Sequence, residues 1–149
     1  MSYPNDEEHQ KAAERLYGKY DLLNTYGNTN IHFIPMDVFD IDKLKMNFDI
    51  VLCFGLYYHV KNIYGLFELC YNKCNDITVI EGPILPRDDP FIYMNEEFEM
   101  HNDCTNYWAV TPSGLVKMLL RIGFNRVEVA GARGPRLVFV AYKNPEKEK

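Results

Sequence analysis

Phe48-Asp49-Ile50-Val51-Leu52-Cys53-Phe54-Gly55 is a near-continuous apolar run of strand length. Apolar residues on both faces of a strand are what a parallel sheet demands, because its crossover helices cover it above and below. The run therefore predicts a central strand of an α/β domain. Beyond it, Asn62 to Cys74 sets Ile63, Leu66, Phe67, Leu69, Cys70 and Cys74 near one helical stripe. Asn75-Asp76 breaks that stripe before Ile77-Thr78-Val79-Ile80-Glu81, a β-branched run. The order is strand, helix, strand.

Further along, Pro83 to Trp108 is rich in Pro, Asp, Asn and aromatic residues without a clear period. Connections of that length are often lids or binding segments. Thr111-Pro112 opens another helix with Thr as cap and Pro in its first turn; Leu115, Val116, Met118, Leu119 and Leu120 give its apolar face, and Gly123 ends it. Arg126 to Val129 and Leu137 to Tyr142 read as two strands joined through Gly131-Ala132-Arg133-Gly134-Pro135, an antiparallel pair that closes the sheet. Upstream, Asn5 to Tyr20 reads as an exposed amphipathic helix, and Ile31-His32-Phe33-Ile34 as a short strand limited by Pro35. These elements make one domain from 1 to 143, followed by a charged tail from 144 to 149 with nothing to bury.

A chain of 149 residues with 47% hydrophobic content can fill a single core, and a formal net charge of −5 argues against a bulk electrostatic grip on nucleic acid. No apolar run is long enough to cross a bilayer, and MSYPNDEEHQ lacks the basic and apolar regions of a secretory leader, so a cytoplasmic location is expected. Cys53, Cys70, Cys74 and Cys104 lack paired CxxC spacing; they are read as packing residues, and no metal site is expected.

Two stretches, Phe33-Ile34-Pro35-Met36-Asp37-Val38 and Phe48 to His59, resemble the third and fourth strands of class I S-adenosylmethionine-dependent methyltransferases. The later order continues to match from about Glu8 to Lys143: helix, fifth strand, substrate-facing loop, a helix ending in Gly123-Phe124, and an antiparallel pair. Gly55 to Val60 and Asn102-Asp103-Cys104-Thr105-Asn106-Tyr107-Trp108 look most like relatives of the tRNA wobble-uridine carboxymethyl-transfer enzymes. The resemblance implies a partial Rossmann-like α/β fold, mostly parallel with a terminal antiparallel pair and helices on both faces. It implies S-adenosylmethionine as cofactor. The departure is that nothing upstream of Asn5 offers a first strand, a Gly-rich turn or the acidic residue that grips ribose, so cofactor binding by the isolated chain is expected to be weak or lost. Two alternatives follow: an inactive binding module, or a fragment whose cofactor site is completed by a partner chain.

By the same resemblance, Asp37 would accept from the adenine amino group beside the Val38 backbone, with a turn-forming Asp as the local alternative and Asp40 as the other carboxylate. Phe54, Gly55 and Leu56 fall where doubly wound folds place their ligands, Gly55 leaving room and Phe54 read also as packing. His59 is the candidate base, with Tyr58 as a hydrogen-bonding partner and Glu81 lining the cleft or pairing with an arginine such as Arg87. Tyr107 and Trp108, with Phe91 and Tyr93, are either an aromatic wall for a planar acceptor or anchors of their loop. Lys117, Arg121, Arg126, Arg133 and Arg136 are a modest phosphate-facing patch or a solvated face. The acceptor is a small molecule or an RNA. The open edge of the Ile50 to Leu52 strand needs a neighbour, either Ile31 to Ile34 or another chain, as in a homodimer.

Overall fold

A computed structural model describes residues 11, 14–15, 18–19, 25–27, 30–96, 99 and 102–144. The chain divides into two compact units, Met1–Asp37 and Val38–Lys149. In the first, residues 11, 14–15, 18–19 and 25–27 are helical and 30–37 have no regular structure. The helix expected from Asn5 to Tyr20 lies largely outside the described residues, as does the tail beyond Asn144.

In the second unit, a 3-10 turn at Val38–Lys43 leads into β1 (Phe48–Phe54), a 3-10 turn at Tyr57–His59 and helix α1 (Ile63–Lys73). β2 (Cys74–Pro83), β3 (Ile92–Met94), β4 (Trp108–Val110), helix α2 (Pro112–Ile122), β5 (Arg126–Arg133) and β6 (Arg136–Tyr142) follow. The main sheet has the order β1-β2-β6-β5, with β1 and β2 parallel and the remaining pairs antiparallel. β3 and β4 form a separate antiparallel pair.

Local chemistry sets the helix ends. The Asn62 side chain caps α1 by accepting from the Gly65 N–H at 2.9 Å. The Thr111 hydroxyl accepts from Gly114 N–H at 3.1 Å to cap α2, with Pro112 in the first turn where its missing N–H costs nothing. At the end of α1 the buried Lys73 ammonium donates to the Leu44 carbonyl at 2.8 Å and pairs with Asp42 at 3.4 Å. A cation there also faces the negative end of the helix dipole.

Period-two alternation divides the sheet's faces. Cys53, Thr78, Ile80, Phe139 and Ala141 are buried on the helix side, packed with Leu66, Phe67, Leu115, Leu119 and Phe124. On the opposite face, Ile50, Leu52 and Phe54 are 56%, 62% and 54% exposed. All four cysteines are free thiols.

Among the described residues, α1 and α2 pack on the same side of the sheet. Three readings from sequence need correction. Ile31 to Ile34 forms no strand: Pro35 removes a ladder donor, and the segment is largely exposed. Asn75-Asp76 does not separate helix from strand, because β2 starts at Cys74 directly after α1. The Pro83 to Trp108 stretch contains β3, too short at three residues for its alternation to be visible. These assignments predict that Phe139→Ala costs about 3–5 kcal/mol, while Leu52→Ala stays within about 0.5 kcal/mol, as read from urea unfolding curves.

Candidate functional site

The carboxyl ends of β1 and β2 gather most of the polar side chains expected from sequence. The last rung of the parallel pair is the Gly55 N–H donated to the Glu81 carbonyl at 2.9 Å. Gly55 has φ +64°, a left-handed conformation that L side chains rarely adopt, and a Cβ there would find its nearest neighbours, Arg136 Nη2 and Tyr58 Oη, only at 3.8 Å. The strand thus ends in a tight bend where an added methyl group would meet Arg136 and Tyr58 at ordinary van der Waals distance.

Tyr57 anchors the turn that follows. Its ring is fully buried and its hydroxyl donates to the Pro83 carbonyl. Burial pushes this phenol above its ordinary pKa, so it remains a donor. The ring lies directly against Gly82, where a side chain would collide with it. Fixing Tyr57 inward fixes Tyr58 and His59 at the cleft.

Glu81 pairs with Arg136, at 2.5 Å from Nε to Oε1 and 2.9 Å from Nη2 to Oε2, and not with Arg87. These charge-assisted bonds hold the Glu81 carboxyl below its usual pKa, against the opposing pull of desolvation. The guanidinium also sits 5.5 Å from the centroid of the Tyr58 ring, with Tyr58 Oη 3.5 Å from both Nη atoms. Arg87 forms a two-point pair with Asp89 at 2.9 and 3.0 Å and stacks over Phe91 at 5.0 Å.

His59 packs against Tyr58 with ring centroids 4.0 Å apart and the planes tilted by 46°. Its Nδ1 lies 2.9 Å from Thr105 Oγ1 and 3.1 Å from the Thr105 carbonyl; Thr105 Oγ1 in turn donates to Asp103 Oδ1 at 2.7 Å. The Tyr107 N–H donates to the Tyr58 carbonyl at 2.7 Å, and the Trp108 indole donates to the Val60 carbonyl at 2.8 Å. Both aromatic residues thereby tie the long loop to the turn that bears His59. Phe91 and Tyr93 stack on each other at 6.2 Å and are exposed. Phe54 is exposed, Leu56 is half-buried against the core, and so is Val38. Asp37 belongs to the first unit and is exposed. Among the described residues, no three His, Cys, Asp or Glu side chains are grouped to hold a metal ion, and no helix is long and apolar enough to cross a membrane.

Three contributors escaped the sequence reading of this site. Arg136 was counted with a surface patch, because only the antiparallel register, which pairs it with Pro83, brings it beside Glu81. Asp103 and Thr105 were quoted only within a longer likeness, although Asp-x-Thr is a legible turn signal: Asp103 Oδ1 also accepts the Thr105 N–H at 2.8 Å.

No described protein family matches the chain by profile. Among solved structures, the N-terminal domain of EvdMO1 with SAH bound superposes with a TM-score of 0.64 at 20% identity, covering 94% of this chain and 62% of that one. PigF with SAH gives 0.65 at 16% identity, over 87% and 40% of the two chains. The SAH-bound magnesium protoporphyrin IX methyltransferase (ChlM) from Synechocystis PCC 6803 gives 0.59 at 14%, over 91% and 61%. The fold is therefore the Rossmann-like fold of class I methyltransferases. In sequence, the chain is 27% identical over 115 residues to the tRNA U34 carboxymethyltransferase of Alteromonas mediterranea, covering 74% of this chain and 34% of that protein. The chain thus spans about a third of the length of the curated relative it matches.

Two outcomes test this geometry. Gly82→Ala should cost about 1–3 kcal/mol through overpacking against Tyr57, and should shift the amide resonances of Tyr58 and His59 in NMR spectra. Glu81, with its depressed pKa, stabilises the fold above the ordinary carboxylate range and loses that contribution as pH falls through its folded pKa. Arg136→Met removes the cause, so the difference in urea midpoint between wild type and variant should be largest at neutral pH and shrink in acid.

Proposed function

We infer that the chain acts as part of an S-adenosylmethionine-dependent methyltransferase, moving a methyl group, or a modified group in its place, to an oxygen or nitrogen of an acceptor. The observation that supports this best is Gly55, a side-chain-free bend at the carboxyl end of a parallel strand, where doubly wound folds bind their ligands. The structural neighbours solved with SAH, the demethylated form of the cofactor, support the ligand's identity. Gly55, Phe54 and Leu56 would hold its methionine side, and Val38 its adenine side. Bound, the cofactor supplies an electrophilic carbon on a sulfonium.

The remaining roles fall to this chain's own groups. His59 takes the acceptor's proton, and the Tyr58 hydroxyl hydrogen-bonds to the acceptor. Tyr107 and Trp108 wall the acceptor side, with Arg87 at the loop's start. Glu81, neutralised by Arg136, is a charge-balanced wall rather than a second base. Residues 1–143 act as one methyltransferase-like domain in this reading, and the location is cytoplasmic.

The exposed row Ile50, Leu52 and Phe54, together with β1's single described neighbour, favours a second element of the proposal. A further strand, from another chain, covers this edge and supplies ribose and methionine-carboxylate contacts. An inactive binding module is the reading that would replace it. Calorimetric titration with SAH should show weak, saturable binding that Gly55→Val abolishes. Binding indifferent to Gly55→Val would contradict the placement, and micromolar affinity in a pure monomer would contradict the need for a second strand.

A further inference from the structure

His59 has a second layer of hydrogen bonds whose directions are fixed by chemistry, and what they imply rests on the base role given to it above. Two oxygens face Nδ1: the Thr105 carbonyl at 3.1 Å and Thr105 Oγ1 at 2.9 Å. A carbonyl can only accept. The hydroxyl has one proton, and it is donated to Asp103 Oδ1 at 2.7 Å. Toward His59 the hydroxyl therefore also accepts. Both partners require a proton on Nδ1, which leaves the lone pair on Nε2.

The arrangement is held from both ends. Asp103 Oδ1 accepts the Thr105 N–H as well, and the Asn106 N–H donates to the Asp103 carbonyl at 3.3 Å, so the Asp-x-Thr turn is closed on itself. On the other side the His59 N–H donates to the Leu56 carbonyl at 2.9 Å, and the Tyr58 ring lies against the imidazole. The ring can turn over only by breaking its bonds to Thr105.

We propose that Thr105 and Asp103 are positioning residues that hold His59 in its Nδ1–H tautomer, with Nε2 left to take the acceptor's proton. In the step this implies, the acceptor O–H bond breaks and its proton passes to His59 Nε2. The oxygen lone pair forms the new bond to the transferred carbon, whose bond to sulfur breaks with the electron pair going to sulfur, leaving a neutral thioether. Asp103, one hydroxyl away, offsets the charge of the imidazolium, which then returns its proton to water.

The test reads the ring nitrogens directly and needs neither cofactor nor turnover, so its failure is distinct from a failure of the methyl-transfer reading. The full chain is labelled with 15N-histidine, long-range proton–nitrogen correlations are recorded at neutral pH, and His59→Gln assigns the signals. Wild type should show a protonated Nδ1 and an unprotonated Nε2. Thr105→Val and Asp103→Asn should move the population toward Nε2–H, and Thr105→Ser should restore it. An Nε2–H tautomer in wild type, or a tautomer unmoved by both variants, overturns the positioning role.

Discussion

β2 meets a parallel neighbour on one edge and an antiparallel neighbour on the other, and the site depends on that difference. Its parallel partner β1 ends with Phe54 opposite Glu81, two residues before β2 ends at Pro83, so both strands release their chains at the same end of the sheet. Its antiparallel partner β6 begins there, with Arg136 opposite Pro83. A parallel third strand would have placed its first residue at the far end of the sheet. The reversal instead delivers a guanidinium to the carboxyl ends, where it neutralises Glu81 and faces Tyr58. Gly82, between these residues on β2, admits the Tyr57 ring and so aims the following two residues outward.

The same sheet is built for cover on both sides but receives it on one among the described residues. Val51 and Cys53 pack toward the helices; Ile50, Leu52 and Phe54 do not, and their exposure lies beside the edge of β1 that has no partner strand among the described residues. An apolar row next to free backbone groups is a template for strand pairing, which native proteins usually cover or blunt. The proposed reading explains the row's composition. Positions that face solvent permanently have no physical reason to be Ile, Leu and Phe in alternation.

Much of the main sheet was legible because its signals are local: an eight-residue apolar run, a helical stripe closed by a cap, a Thr-Pro start and a Gly stop. The β3–β4 pair was not, since three residues of alternation cannot be separated from an aromatic-rich loop. The strand expected at Ile31 to Ile34 had the right residue types, but propensity without a partner strand does not make a ladder. At the site, His59, Tyr58, Gly55 and Glu81 stood out through their place at strand ends. Arg136 and Thr105 did not, because each reaches the site only through a contact with a residue 55 or 46 positions away in the chain.

The central claim is that residues 38–144 form the rear wall of an S-adenosylmethionine site centred on Gly55. Chemical-shift mapping of the labelled chain against SAH tests it most directly, because fast exchange reports even weak contact residue by residue. The account predicts perturbations concentrated at Val38, Phe54, Gly55 and Leu56, with the outer β5 strand and the start of α2 unmoved. Perturbations confined elsewhere, or none at saturating ligand, would contradict it.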